Sequence, residues 1–325
     1  MSTARPIAPW PAGQLLLTDG GLETTLVFHE DIELPDFAAF PLLEDEGGRD
    51  VLRGYYRDYA DIAHTHGLGI VLDTPTWRAP SDWGARLGYD ADALVALNAA
   101  AVDLLAGIRA EYAPRTHVVI SGNVGPRGDG YDVGARMSVD AAEEYHRAQI
   151  AALARAGADL ITVLTMTHVE EAVGVVRAAR AESMPVVVGF TVETDGTLPS
   201  GQALSAAIIE VDAATEGYPV HYGINCAHPD HFEPVLRSEP WAARIGLLRA
   251  NASRSSHAEL DEATELDSGD PAELGARYAE LRGRFPNLVV LGGCCGTDDR
   301  HIAAVAEACA PEARELSPAN SASSV

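Results

Sequence analysis

Four cysteines occur in 325 residues, and three of them stand where apolar runs end. Leu288-Val289-Val290-Leu291 reads as a buried strand, and Gly292-Gly293-Cys294-Cys295-Gly296-Thr297 follows it. Cys226 closes a second apolar segment, His221 to Asn225. Neighbouring side chains in a strand point to opposite faces, so Cys294 and Cys295 can reach one metal only where the backbone leaves strand geometry. Gly292, Gly293 and Gly296 are expected to permit the dihedrals this needs. Three thiolates converging from two strand ends would hold zinc with one coordination position open, as catalytic rather than structural sites do. The competing reading is a buried cysteine acting as a small hydrophobe, and it is taken for Cys309 in the last helix. A glycine-flanked pair is a poor place to hide a hydrophobe. A disulfide between Cys294 and Cys295 is disfavoured by its geometry and by a reducing compartment.

The elements that would carry these thiols alternate regularly. Short apolar strands are expected at Leu15–Thr18, Gly69–Asp73, Val118–Ser121, Leu160–Leu164, Val186–Phe190, His221–Asn225, Arg244–Leu248 and Leu288–Leu291. Between them lie helical patterns. One is capped by Asp50 and ended by Gly67, one starts near Asp90, and one runs from about Ser138 to Gly157. Others cover Val169–Ala181, Leu204–Thr215, Pro271–Arg284 and Asp299–Ala310. Strands this apolar imply a parallel sheet covered on both faces. Eight units favour an α/β fold of the closed (β/α)8 TIM barrel type, as a single domain over 15–310. An open doubly wound sheet is the alternative, without support from a G-x-G-x-x-G after the first strand. Residues 1–14 form an N-terminal arm, and 311–325 are expected to be a disordered tail.

Composition narrows the classes. With 47% hydrophobic and 22% charged residues the chain reads as a soluble globular protein. A formal net charge of -25 argues against nucleic acid and anionic membranes as partners. No apolar run is read as long enough to span a membrane. The N-terminus lacks a signal peptide's apolar core, and four cysteines make no disulfide framework, so a cytoplasmic location is expected.

In a (β/α)8 barrel the strand C-termini carry the chemistry. They present Asp19, Asp73, Asn123, Leu164-Thr165, Thr191 to Glu193, Cys226, Asn251 and Cys294-Cys295 to one mouth. Here the chain resembles the homocysteine S-methyltransferase family. The motifs are Asp19-Gly20-Gly21-Leu22-Glu23-Thr24, Gly122-Asn123-Val124-Gly125-Pro126, Asn225-Cys226 and Gly292-Gly293-Cys294-Cys295-Gly296-Thr297. The resemblance spans about residues 15 to 310. It implies a zinc-bearing barrel with Cys226, Cys294 and Cys295 as ligands, zinc as cofactor, and a small-molecule thiol and a methyl donor as substrates. A thiol with a pKa of about 8.5 is mostly protonated at neutral pH, and coordination to zinc deprotonates it. The thiolate then attacks a methyl carbon on a sulfonium or quaternary ammonium, and a neutral thioether such as methionine leaves.

Other roles follow from the same resemblance. Asp19 matches a substrate-contacting aspartate, against a plain turn-capping role. Asn123 and Asn251 match polar catalytic positions, against side chains that bond their own loops. Asp73 is a similar case. Trp77 and Trp83, with Phe40 as a third candidate, are expected to face the donor's cation, against ordinary packing. His168, His228 and His231 show no ligand spacing and are read as helix-start or surface residues, and Glu170-Glu171 as first-turn acids. One position departs from the pattern: after the fourth strand the family carries Glu, which binds the amino group of homocysteine, and this chain carries Leu164. Either Asp19 or Glu193 supplies the missing carboxylate, or the acceptor lacks an amino group, which the leucine favours. The competing functions are a catabolic demethylase-type relative using another thiol, and a non-enzymatic zinc store or thiol sensor. Homo-oligomerisation is left open.

Overall fold

The structure is a computed structural model, described for residues 6–113 and 115–316. Eight parallel strands close on themselves in chain order. They are β1 (Leu16–Leu17), β2 (Gly69–Asp73), β3 (Val118–Val124), β4 (Leu160–Met166), β5 (Val186–Phe190), β6 (His221–Asn225), β7 (Ile245–Ala250) and β8 (Val290–Gly293). The seam is made by Leu16 opposite Val290 and Leu17 opposite Leu291. The expected (β/α)8 barrel is the observed fold.

Strand periodicity divides the apolar residues between two cores. Leu16, Val71, Val119, Leu160, Leu164, Val187, Leu247 and Val290 form one cluster, filling the barrel interior. Their neighbours Leu17, Ile70, Leu72, Ile120 and Ile161 join the larger cluster shared with the helices. The N-terminal arm belongs to the inner core. Trp10 is buried in it and stacks on His221, the first residue of β6, with centroids 6.0 Å apart. His117 beside it bonds the Pro9 carbonyl at 3.1 Å. The arm therefore plugs the end of the barrel where the strands begin.

The helices are α1 (Leu22–Phe28), α2 (Glu46–His66), α3 (Ser81–Arg86), α4 (Ala91–Tyr112), α5 (Val139–Ala156), α6 (Val169–Ala181), α7 (Leu204–Thr215), α8 (Pro229–Phe232), α9 (His257–Asp261), α10 (Pro271–Arg284) and α11 (Asp299–Leu316). Asp90 and Ser138 cap α4 and α5 through backbone N–H groups, and Gly67 and Gly157 end α2 and α5 in the left-handed conformation. Two boundaries differ from the sequence reading. α2 begins at Glu46 with Asp45 as its cap, because its first turn is solvent-exposed and carries no apolar signal. α11 continues past Ala310 to Leu316, into the expected tail, of which 317–325 lies outside the described residues. α4 also corrects the statement on membrane spans. It is long and apolar enough to cross a membrane by length and composition, yet Leu94, Leu97, Ala101, Leu105 and Ile108 pack it onto the barrel shell.

β3, β4, β7 and β8 run further toward the mouth than their apolar runs, which carries Asn123, Thr165, Arg249 and Gly292-Gly293 into the sheet. The two glycines act through space rather than through unusual dihedrals. A Cβ on Gly292 would fall on Thr18 Oγ1 and one on Gly293 on Thr297 Oγ1, while Gly296, at φ +78°, does take the left-handed conformation. Gly292→Ala is expected to destabilise the barrel by about 1–3 kcal/mol through overpacking at the β8–β1 seam. Chemical denaturation measures this, and an unchanged midpoint would mean the seam has slack.

Candidate metal centre and substrate pocket

Cys226 follows β6 directly and holds φ at +52°, a conformation uncommon outside glycine. Its backbone is fixed on both sides. The N–H donates to Arg249 O at 3.1 Å, and the carbonyl accepts from His257 Nε2 at 2.8 Å and Thr191 Oγ1 at 3.3 Å. Cys294 and Cys295 lie just past β8, outside strand geometry, as two adjacent cysteines facing one centre require. Cys294 N–H donates to Ala250 O at 2.9 Å, and Ala252 N–H to Cys295 O at 3.1 Å. Thr297 closes the turn by donating its hydroxyl to Cys294 O at 2.7 Å.

The three sulfurs lie within 4.8 Å of one another, a cluster that could hold a metal ion. Cys226 and Cys294 are paired as a disulfide, and Cys295 Sγ stands 3.9 Å from Cys226 Sγ. The disfavoured Cys294–Cys295 bond is not formed. A disulfide sulfur is no thiolate, so the reduced chain is the form that can bind metal. A set of three soft sulfur donors at one concave mouth fits zinc. Burial pushes the Cys295 thiol above its ordinary pKa, and the Tyr131 hydroxyl 3.4 Å away opposes that rise.

A cavity of about 400 Å³ opens beside the sulfurs. Asp19, Trp77, Asn123, Leu164 and the three cysteines line it, so the barrel brings these expected residues together. Trp83, Glu193 and Asn251 are not on its wall. Trp83 sits under Arg78 and Arg86 guanidinium groups, 3.6 and 4.5 Å from its ring centroid, so a protein cation already occupies the face meant for a substrate. Trp77 reaches the wall with Arg78 over its ring at 4.2 Å. Glu193 is paired with His257 Nδ1 at 3.3 Å, and Asn251 is buried with its Oδ1 unpartnered. Phe40 is core, edge-on to Tyr89. His168 and His228 stand at helix starts as expected. Glu170 and Glu171 stand in the first turn of α6 as expected, and Glu171 is also buried, accepting from Arg127 N–H and pairing with His146.

The residue that sequence reasoning missed is Arg249. The reading ended its strand at Leu248, whereas β7 continues and buries Arg249 inside the mouth. A charge interrupting an apolar run was the available signal, since a buried charge must be paired. Arg249 pairs with Asp19 Oδ1 at 2.8 Å and with Asp73 Oδ2, and donates to Gly293 O at 2.9 Å and Gly20 O at 3.0 Å. Tyr55 donates to Asp19 at 3.1 Å. One guanidinium thus faces two carboxylates. Burial pushes the Asp19 carboxyl up to about 6, Arg249 pulls it down, and Asp73 pushes it up again. Tyr131, stacked on His257 with centroids 4.1 Å apart, also went unread, as did the pocket-lining Glu23, Phe28 and Phe37. Asn225, of the Asn-Cys pair, is structural: its amide bonds Thr165 N and Oγ1 at 2.9 and 3.1 Å, holding that threonine at φ +65°.

The comparisons with known proteins agree with this geometry. The family model described as homocysteine S-methyltransferase matches residues 16–309. The chain belongs to the homocysteine S-methyltransferase family. A homocysteine S-methyltransferase from Escherichia coli (strain K12) is 27% identical over 90% of this chain and 94% of its own. Homocysteine S-methyltransferase 1 from Arabidopsis thaliana is 22% identical over 90% and 93%. The metallated form of the homocysteine methyltransferase MmuM from Escherichia coli superposes with a TM-score of 0.71 at 22% identity, covering 90% of this chain and 96% of that one. That likeness shows a shared fold. As a member of the homocysteine S-methyltransferase family the protein is a methyltransferase, and small molecules are its substrates. Within this barrel Arg249→Met should cost about 3–5 kcal/mol, because it leaves Asp19 and Asp73 buried without a counter-charge. Urea unfolding reads this, and a loss under about 1 kcal/mol would show that water already solvates the pair.

Proposed function

We propose that the reduced chain holds one zinc ion through Cys226, Cys294 and Cys295 and transfers a methyl group from an onium donor to a small thiol without an α-ammonium group. The supporting observation for the metal is the convergence of three strand-end sulfurs at the mouth of a 400 Å³ cavity. Bound zinc would supply Lewis acidity that keeps an acceptor thiol as thiolate at neutral pH. The chain's own residues do the rest. His257 and Thr191 hold the Cys226 carbonyl, and Thr297 holds the turn of Cys294 and Cys295, so the sulfurs are positioned before substrate arrives. The buried, apolar Leu164 on the cavity wall suits a reaction in which opposite charges disappear, since a less polar surround favours the neutral products. A metal store or thiol sensor has no use for such a cavity, so the enzyme reading is preferred to it. A reducing cytoplasm suits three free thiols.

The acceptor follows from Leu164. It lies on the pocket wall, buried in the barrel's inner core. The two carboxylates expected to compensate are engaged, Asp19 by Arg249 and Tyr55, and Glu193 by His257. An ammonium group beside Leu164 would meet an apolar wall, and neither of these two carboxylates is free to pair with it. The wall suits a mercapto-acid better than an amino acid.

One zinc per reduced chain is expected by elemental analysis. Cys226→Ala should abolish activity and metal binding while the unfolding transition persists, since neither apolar core uses that sulfur. Full activity in this variant, or stoichiometric metal in a triple Cys→Ala variant, would count against the centre. For the acceptor, 4-mercaptobutanoate should outcompete homocysteine, and Leu164→Glu should move the ratio of their kcat/KM values toward homocysteine by about tenfold or more, the equivalent of one ion-pair-sized term. A wild-type enzyme that already favours homocysteine over its des-amino analogue would refute the assignment.

A further inference from the structure

One carboxylate of the pocket has no role so far. Asp19 and Asp73 share Arg249, and Asp129 faces Arg78 at 3.5 Å. Asp267 accepts from Gly269 N–H at 3.0 Å, and Glu265 is exposed to water. Glu23 lines the pocket half-buried, and among the described residues no basic side chain forms an ion pair with it. Its carboxyl is pushed up to about 7, with burial the main cause and the nearby Asp19 adding to it, while a backbone hydrogen bond and the charges of Arg249 and Arg78 pull it down.

Its place beside the sulfurs is set by its neighbours. Gly21 N–H donates to Thr297 O at 2.9 Å, and Gly296 N–H to Thr24 Oγ1 at 3.2 Å, which staples the first turn of α1 to the double-cysteine turn. Glu23 lies between these two contacts and is close enough for its charge to raise the Cys295 thiol. Two aromatic side chains also line the pocket and keep exposed surface: Phe28, on the same helix as Glu23, at 43%, and Phe37 at 36%. A carboxylate without an ion pair of its own in a pocket that also carries exposed aromatic rings is the chemistry that recognises a sulfonium or quaternary ammonium, which has no N–H to donate and is held by charge and by ring quadrupoles.

We infer that Glu23 is the counter-ion of the methyl donor's onium centre, which it holds with Phe28 and Phe37 next to the sulfur cluster. The inference rests on the methyl-transfer reading above and adds the residue that selects the donor. In the transfer the acceptor sulfur forms a bond to the methyl carbon as the carbon–onium bond breaks. Its electron pair returns to the sulfur or nitrogen of the donor, and no proton moves. The attraction to Glu23 is greatest for the bound donor and vanishes in the neutral leaving group, so this residue lowers KM and speeds departure of the demethylated product without raising kcat.

The test pairs an onium with its uncharged isostere. Isothermal titration of the protein is run with trimethylammonioacetate against 3,3-dimethylbutanoate and with dimethylsulfonioacetate against 3-methylbutanoate, whose tert-butyl and isopropyl groups match the respective onium groups in shape and carry no charge. Wild type should prefer at least one onium by about tenfold or more, Glu23→Gln should remove the preference, and Glu23→Asp should keep part of it. With the onium that is turned over, Glu23→Gln should raise the donor's KM about tenfold with kcat not lowered and the acceptor's KM unchanged. An onium preference that survives in Glu23→Gln, or is absent from the wild type, overturns the inference, as does a variant that raises the acceptor's KM instead. Onium selectivity at Glu23 without any turnover would sustain this assignment while refuting the methyl-transfer reading.

Discussion

Closure of the sheet between β8 and β1 is the constraint on which the rest depends. Leu16 and Leu17 pair with Val290 and Leu291 on one side and with Gly69 and Ile70 on the other, so a strand of two residues joins the ends of the ring. That seam brings the turn after β1 against the turn after β8, with Gly21 N–H on Thr297 O and Gly293 N–H on Asp19 O. No side chain fits between them at Gly292 or Gly293. Cys294 and Cys295 acquire their position from this contact, and Cys226 is brought to them by the order of strands around the barrel.

A second constraint is electrostatic. Asp19 and Asp73 share one buried guanidinium, that of Arg249, so this cluster sets two carboxylates against one cation. Fixing the guanidinium by two carbonyls as well leaves it little freedom to leave either acid. These polar groups are thus mostly committed to one another, while Leu164 adds an apolar patch to the pocket wall and Glu23 forms no ion pair among the described residues.

The alternation of apolar runs and amphipathic helices made the barrel legible, and glycine-flanked thiols at two run ends made the sulfur cluster legible before any coordinates. What remained hidden had physical causes. Strand length was underestimated wherever the residues near the mouth were polar, because backbone pairing continues after hydrophobicity stops. Arg249 was lost for that reason, and with it the fate of Asp19. Trp77 and Trp83 looked available to a ligand cation because sequence cannot tell that Arg78, one residue from Trp77, folds over both rings. Gly292 and Gly293 were read for their torsional freedom, when their lack of volume is what matters. The early start of α2 was invisible because its solvent-facing first turn carries little apolar signal, and the reach of α11 because Pro311 to Glu315 offers a proline and polar residues in sequence.

Trp10 has a consequence beyond packing. It stacks on the first residue of β6, and Cys226 follows the last residue of the same strand. One strand of five residues therefore ties the stopper at one end of the barrel to the sulfur cluster at the other, so that loosening the arm would be felt where the thiols converge.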